Sequence, residues 1–159
     1  MDQITLDWIP YVAKTGAEFE RIIAGAPIDD ERRLSAKEDP ELLHANPGQT
    51  AGHQGFLDYR LVDLPEGGRT LYIARVAVEP FCDARYVGRA LVHGALLAAQ
   101  KEGAQSMFAY VENENDAAQG FFERNSFLRT DHGNGVEYAT AVPLKEVLPL
   151  DEMIIVSAR

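Results

Sequence analysis

The chain has 159 residues, 46% of them hydrophobic and 25% charged, the balance of one globular domain with a single core. Its 15 Lys and Arg against 25 Asp and Glu give a formal net charge of −10. That charge argues against general nucleic-acid binding, which needs a basic face, and it would repel an anionic membrane surface. It is compatible with a cationic substrate, and equally with acidity that only maintains solubility. No apolar run approaches the roughly 20 residues of a membrane span. The segment Met1 to Asp7 has neither the basic nor the apolar region of a secretory signal. Cys82 is the only cysteine, so no intrachain disulfide can form, and a reducing cytoplasm is the expected compartment.

In chain order, Ile4 to Ile9 reads as a first strand. Ala17 to Ala24 reads as a helix, with Phe19, Ile22 and Ile23 at helical spacing. Residues 27–50 carry Pro27, Pro40, Pro47 and many charges, a pattern of short helices and loops. Phe56 to Leu64 is a strand, Pro65 to Gly68 a turn, and Arg69 to Glu79 a second strand, making an antiparallel hairpin. After a loop from Pro80 to Val87, Gly88 to Glu102 forms the clearest helix, with Leu91, Ala95 and Ala98 recurring on one side. Lys101 and then Gly103 mark its end. Ser106 to Glu112 is apolar on both faces, which places it inside a sheet. Asn115 or Asp116 caps a short helix to about Arg124. Phe127 to Thr130 and Val136 to Val142 flank a turn containing Asn134 and Gly135, and Met153 to Ala158 is a last strand. The order across the second half is that of a mixed α/β sheet with helices on its faces.

The passage from Val76–Pro80 to Gly88–Val92 carries the chemistry. A strand ends, a loop follows and a helix begins at a glycine. Helix N-termini present unpaired N–H groups and a partial positive charge, a glycine lets an anion approach the backbone, and Arg85 and Arg89 add positive charge in an acidic chain. An ordinary strand–helix connection with two solvated arginines would look the same on this segment alone.

A second segment separates those readings. Val78-Glu79-Pro80 followed by Arg85-Tyr86-Val87-Gly88-Arg89-Ala90 fits the formula Q/R-x-x-G-x-G/A, and Asn115, Ala118, Phe121, Phe122, Ser126 and Phe127 keep the spacing N-x-x-A-x-x-F-Y-x-x-x-G-F. In these two motifs, over about residues 70 to 130, the chain resembles the GNAT N-acetyltransferase superfamily. The resemblance implies a GNAT-like α/β fold, with a mixed, mostly antiparallel central sheet of six to seven strands and helices on both faces. It implies one domain over 1–159, with acceptor-side helices and loops in 1–55 and a coenzyme-binding core in 56–159. Acetyl-CoA or another acyl-CoA is then the co-substrate, contacted by Val76, Ala77, Val78, Arg85, Tyr86, Val87, Gly88, Arg89, Ala90, Asn115, Ala118, Phe121 and Phe122. No metal is implied, since four histidines and one cysteine show no ligand spacing. A homodimer is compatible with the resemblance, although no interface is visible in the sequence. The chain departs from the pattern at three places. In a second alignment of the loop, ending at Gly88-Arg89-Ala90-Leu91, Asp83 stands in place of a basic residue and Tyr86 in place of a glycine. Phe122 stands where the family has a tyrosine held to protonate the departing thiolate. Ser126 replaces a glycine.

The implied reaction is direct attack of a primary amine on the thioester in a ternary complex. An amine with pKa about 10.4 is neutral in only about one molecule in two thousand at pH 7, a term of roughly 4 kcal/mol, so a base has much to gain. Glu79 and Glu112, each at a strand end, are the candidates, directly or through water. Solvated strand-end carboxylates are their structural alternative. The oxyanion would be met by a backbone N–H near Val78. Phe122 has no proton to give, which leaves Tyr86, Tyr110, Tyr138 or water for the leaving group. Thiols ionise near pH 8.5, so the thiolate is already a tolerable leaving group. Cys82 has no evident His partner and is read as a bystander. Two alternatives stand beside the enzyme. One is a GNAT-fold module that binds coenzyme A or a protein partner without turnover. The other is a nucleotide-binding protein, which the missing Walker-type lysine opposes. The amine acceptor, small molecule or peptide, is not readable from the sequence.

Overall fold

The computed structural model describes residues 2–25, 53–78, 84–141 and 153–157, with backbone alone for 2–5, 53–54, 84–86 and 153–157. The described strands are β1 (Asp2–Val12), β2 (Glu18–Gly25), β3 (His53–Asp63), β4 (Arg69–Val78), β5 (Ser106–Val111), β6 (Leu128–Asp131), β7 (Val136–Ala141) and β8 (Met153–Ser157). The described helices are α1 (Ala84–Lys101) and α2 (Asp116–Arg124). All the strands join one eight-stranded sheet in the order β6-β7-β5-β4-β3-β2-β1-β8. Pairing is antiparallel except between β4 and β5 and between β1 and β8. The parallel β4–β5 pair is the one bridged by α1, because parallel neighbours need a crossover.

The sheet is a strand wider than expected because the N-terminal segment adds more sheet than was read there. Ala17 to Ala24 is not a helix: Glu18 to Gly25 is β2, held between β1 and β3. Ile22 and Ala24 face α1, while Arg21 and Ile23 face the other way, and all four are buried. A strand buried on both faces loses the polar–apolar alternation that would identify it. Residues 27–50 lie outside the described residues. The remaining strands fall close to their expected bounds.

Helix α1 packs its buried face, Leu91, Val92, Ala95, Ala98 and Ala99, against β1 to β5. Gly94 permits this close seat, since a Cβ there would sit 3.1 Å from Leu6 Cδ1 and 3.3 Å from Ile22 Cδ1. The helix ends as its sequence demands. The N–H of Ala104 donates to the Ala99 carbonyl at 2.8 Å, and Gly103 adopts φ +73°, the left-handed stop that glycine permits. Phe121 and Phe122 of α2 join the same core cluster, so both described helices cover one face.

The opposite face is built differently. Arg21 is 0% and Asp58 1% exposed, joined by Nε to Oδ1 at 2.6 Å and Nη2 to Oδ2 at 2.9 Å. The Arg21 guanidinium lies 3.9 Å from the ring centre of Tyr11 and 4.3 Å from that of Phe56, a stacked cation. Arg75 completes the row, donating from Nε to Asp58 Oδ2 at 3.3 Å and from Nη2 to the Tyr11 hydroxyl at 2.6 Å.

Candidate active site

The site begins with a miscount between two strands. Along β3 and β4, Leu57 pairs with Val76, Asp58 with Arg75, and Tyr59 with Ile73. Ala74 is therefore an extra residue in β4, a β-bulge. It reverses the alternation: Leu71 and Ile73 face the helices before it, and Val76 and Val78 do so after it. A bulge bends its strand, and the β4–β5 ladder holds only at Thr70–Ser106, Leu71–Met107 and Tyr72–Phe108. Beyond Tyr72 the two strands diverge.

The opening contains two adjoining cavities. One, of about 360 Å³, is lined by Val76, Ala77, Val78, Asn115, Ala117, Ala118, Phe121 and Arg124. The other, of about 260 Å³, lies between Ile73–Val76 of β4 and Ala109–Glu112, with Asn115, Ala118 and Phe122 at its back. Val76, Asn115 and Ala118 belong to both, so one groove runs from the outer half of β4 into the split.

Asn115 caps α2, its Oδ1 accepting from the Ala118 N–H at 3.1 Å, and so fixes the groove's helical wall. Gln119 draws the preceding turn in, donating from Nε2 to the carbonyls of Glu112 at 3.1 Å and Asn113 at 3.0 Å. The two expected motifs meet through Gly88. Helix α1 starts at Ala84, four residues before the expected start, so Gly88 lies inside it. A Cβ at Gly88 would sit 2.8 Å from the Phe121 ring; the glycine lets α1 and α2 close on each other. Val87 and Ala90 are core side chains, so any ligand contact from them is through backbone. Arg89 is half-buried. The side chains of Arg85 and Tyr86 lie outside the described residues, as do Glu79, Pro80, Cys82 and Asp83. Glu112 is exposed and lines the inner cavity. Val76, Ala77, Val78, Asn115, Ala118, Phe121, Phe122 and Glu112 are thus brought to one groove.

Of the tyrosines weighed as proton donors, Tyr138 is fully buried and stacks on Phe122 at 5.4 Å, but its hydroxyl donates to Glu123 Oε2 at 3.0 Å. Burial first, then the Glu123 carboxylate, raises its pKa above the ordinary phenol value. It is a poor acid engaged elsewhere. Tyr110 lies on the face opposite the helices and donates its hydroxyl to Asn134 Oδ1 at 2.9 Å. A Cβ at Gly135 would overlap the Tyr110 ring, so the Asn134–Gly135 turn also seats that ring. His93 of α1 has Nδ1 buried with no partner among the described residues, and burial lowers its pKa. No group of His, Cys, Asp and Glu among the described residues is arranged to hold a metal ion, and no described helix is long and apolar enough to cross a membrane.

Sequence reasoning missed Ala74 and Arg75. The signal for the first was present: apolar residues at 71 and 73 and then at 76 and 78 are out of phase by one, which is the mark of a bulge.

Residues 9–127 match the model of the acetyltransferase (GNAT) family. Among solved structures, the chain is similar to the NatC complex bound to Gag peptide and CoA, at 19% identity over 78% of this chain and 70% of that one, with a TM-score of 0.52. A GNAT-family protein from Desulfovibrio desulfuricans, described as a putative acetyltransferase, gives 16% identity over 78% and 69%, with a TM-score of 0.51. The PaiA N-acetyltransferase of Thermoplasma acidophilum in complex with coenzyme A gives 15% identity over 72% and 80%, with a TM-score of 0.50. At these identities the likeness is one of fold. The curated proteins include no match.

Proposed function

The chain belongs to the acetyltransferase (GNAT) family, and from that premise we propose that it transfers an acyl group, acetyl foremost, from acyl-coenzyme A directly to a primary amine. The observation that carries this reading is the split between β4 and β5 at the Ala74 bulge. Beyond Tyr72, the side of β4 turned toward β5 no longer pairs with it. Unpaired N–H and C=O groups are a template for an extended, amide-bearing chain. The pantetheine arm of coenzyme A has that character. In this reading it runs along Val76, Ala77 and Val78, with Asn115, Ala118 and Phe121 on its other side. The start of α1, from Arg85 to Ala90, receives the pyrophosphate at a helix N-terminus.

Four tasks fall to this chain's residues. The ammonium must lose a proton, and Glu112 on the inner cavity, or Glu79, takes it directly or through water. The amine nitrogen then bonds to the thioester carbon. The oxyanion is met by the Val78 N–H. The C–S bond breaks, the nitrogen gives up its second proton to solvent to leave the neutral amide, and the thiolate takes its proton from solvent, because Phe122 has none to give and Tyr138 is committed to Glu123. A thiol that ionises near pH 8.5 makes that exit tolerable.

Phe122 favours a second reading, a GNAT-fold module that binds coenzyme A without turnover. Thermal unfolding with acetyl-CoA, coenzyme A and ATP tests the common ground. At about 100 times Kd a ligand adds roughly 2.7 kcal/mol, so both coenzyme A forms should raise Tm and ATP should not. Thiol release from acetyl-CoA in the presence of amines then separates enzyme from module. No shift with millimolar acetyl-CoA or coenzyme A would sink both readings.

A further inference from the structure

On that reading of the groove, we propose that Arg124 holds a phosphate of the coenzyme at the outer end of the α2 wall. Ala117, Phe121 and Arg124 stand at i, i+4 and i+7 on one side of α2, and all three line the outer cavity. Val76, Asn115 and Ala118 are shared with the inner cavity, whereas Phe121 and Arg124 belong to the outer one alone. Arg124 therefore stands away from the split, about 9 Å further along α2 than Ala118. Phe121, one turn before it, rests on Gly88 of α1, inside the segment that receives the pyrophosphate. A coenzyme with its thioester in the split carries its phosphates to this end.

Two observations single out this cation. Arg21, Arg69, Arg75 and Arg129 each lie within ion-pair distance of a carboxylate, as expected in a chain of net charge −10. Arg124 is exposed and makes no hydrogen bond, ion pair or ring contact among the described residues. Its guanidinium is also seated. It lies back along α2 beside Gly120, where a Cβ would come within 3.0 Å of Nη1, so the glycine gives it room against the helix. Helical side chains lean toward the N-terminus of their helix, and that lean keeps the guanidinium over the α2 wall of the groove. A guanidinium meets a phosphate with paired N–H donors. Coenzyme A offers two such anions, the pyrophosphate and the 3′-phosphate, and the chemistry of the contact is the same for both. A cation in the last turn also complements the helix dipole, but that role acts on the free protein and needs no ligand.

The test measures Kd for coenzyme A and for 3′-dephospho-coenzyme A by calorimetry at low and high salt, in the unaltered protein and in Arg124→Gln, Arg124→Lys and Gly120→Ala. Arg124→Gln should weaken coenzyme A by about 10-fold, the scale of one charge-assisted hydrogen bond, and should reduce the salt dependence of binding. Arg124→Lys should recover part of the loss. A loss confined to coenzyme A assigns the contact to the 3′-phosphate. An equal loss for both ligands, with recovery by lysine, assigns it to the pyrophosphate. Gly120→Ala should weaken binding by a smaller factor and add nothing to Arg124→Gln; a full second loss in the double variant would overturn the seat beside Gly120. Unchanged Kd for both ligands in Arg124→Gln overturns the proposal. So does a loss that lysine does not recover and that leaves the salt dependence as it was, since a merely structural wall would behave that way. Either result leaves the coenzyme reading intact. Failure of the unaltered protein to bind coenzyme A removes that reading itself, and the proposal with it.

Discussion

On the helix side of the sheet, Leu6, Ile22, Leu57, Leu71 and Met107 are sealed beneath α1 as one apolar cluster. On the other side, the buried residues include Asp7, Arg21 and Asp58, with aromatic rings stacked on the Arg21 cation. The two faces make different demands on a sequence. Apolar burial scales with area and tolerates substitutes of similar volume. A buried ion pair tolerates the loss of neither partner alone, because desolvating a lone charge costs more than the pair returns.

Asp58→Leu should show the contrast most strongly. It removes the carboxylate that takes two hydrogen bonds from a fully buried arginine, and it should destabilise the protein by about 3–5 kcal/mol, read as a fall in the urea midpoint. Adding Arg21→Met should recover most of that loss, since an apolar replacement of the whole pair is often neutral. A double variant no better than the single would mean that the charges of this face are not separable as a pair. On the apolar face, Leu71→Ala should cost about 2–5 kcal/mol through lost burial and a cavity, whereas Leu71→Met should cost less than about 1.5. Equal losses for the two in chemical denaturation would contradict the volume argument. At the junction of the two helices, Gly88→Ala should cost about 1–3 kcal/mol by overpacking Phe121, partly offset by the better helix propensity of alanine. The added change Phe121→Leu should relieve the clash, and a stable single variant would show that α2 can shift. The smallest effect lies outside both faces. Ser126, just past the end of α2, has φ +66°, so Ser126→Gly should stabilise by about 1 kcal/mol. An unchanged or lower Tm would show that the left-handed turn carries no strain.

Local pattern made much of the second half legible. The strands β3, β4, β5 and β7, the α1 stop at Lys101 and Gly103, and the α2 cap at Asn115 are each written within a few residues of where they act. The N-terminal hairpin was not legible, because Arg21 finds its partner 37 residues away, and no rule of local spacing puts an arginine in a core. Gly88 was legible as a required glycine but not for its packing role. From the sequence it signals an anion's approach, and in the fold its missing Cβ also admits a phenylalanine from α2. The groove's outline followed from the two motifs. Its inner wall did not, since Ala74 and Arg75 line the cavity only through a one-residue offset between β3 and β4.

That offset sets the width of the cleft in discrete steps. Side-chain changes can line the opening differently, but its existence depends on β4 having one residue more than β3 over the same span. Deleting Ala74 would keep every strand partner of β3 while restoring strict alternation from Leu71 to Val78, and the path of least resistance for β4 would then be to continue zipping along β5. We expect such a variant to fold as a more regular sheet, with NMR contacts between the backbones of Ile73 and Ala109, and to lose its response to acetyl-CoA. Persistence of that response would mean that the split is held open by the helices rather than by the register. In this sheet the capacity to hold a ligand is an integer, the number of residues by which two neighbouring strands fail to match.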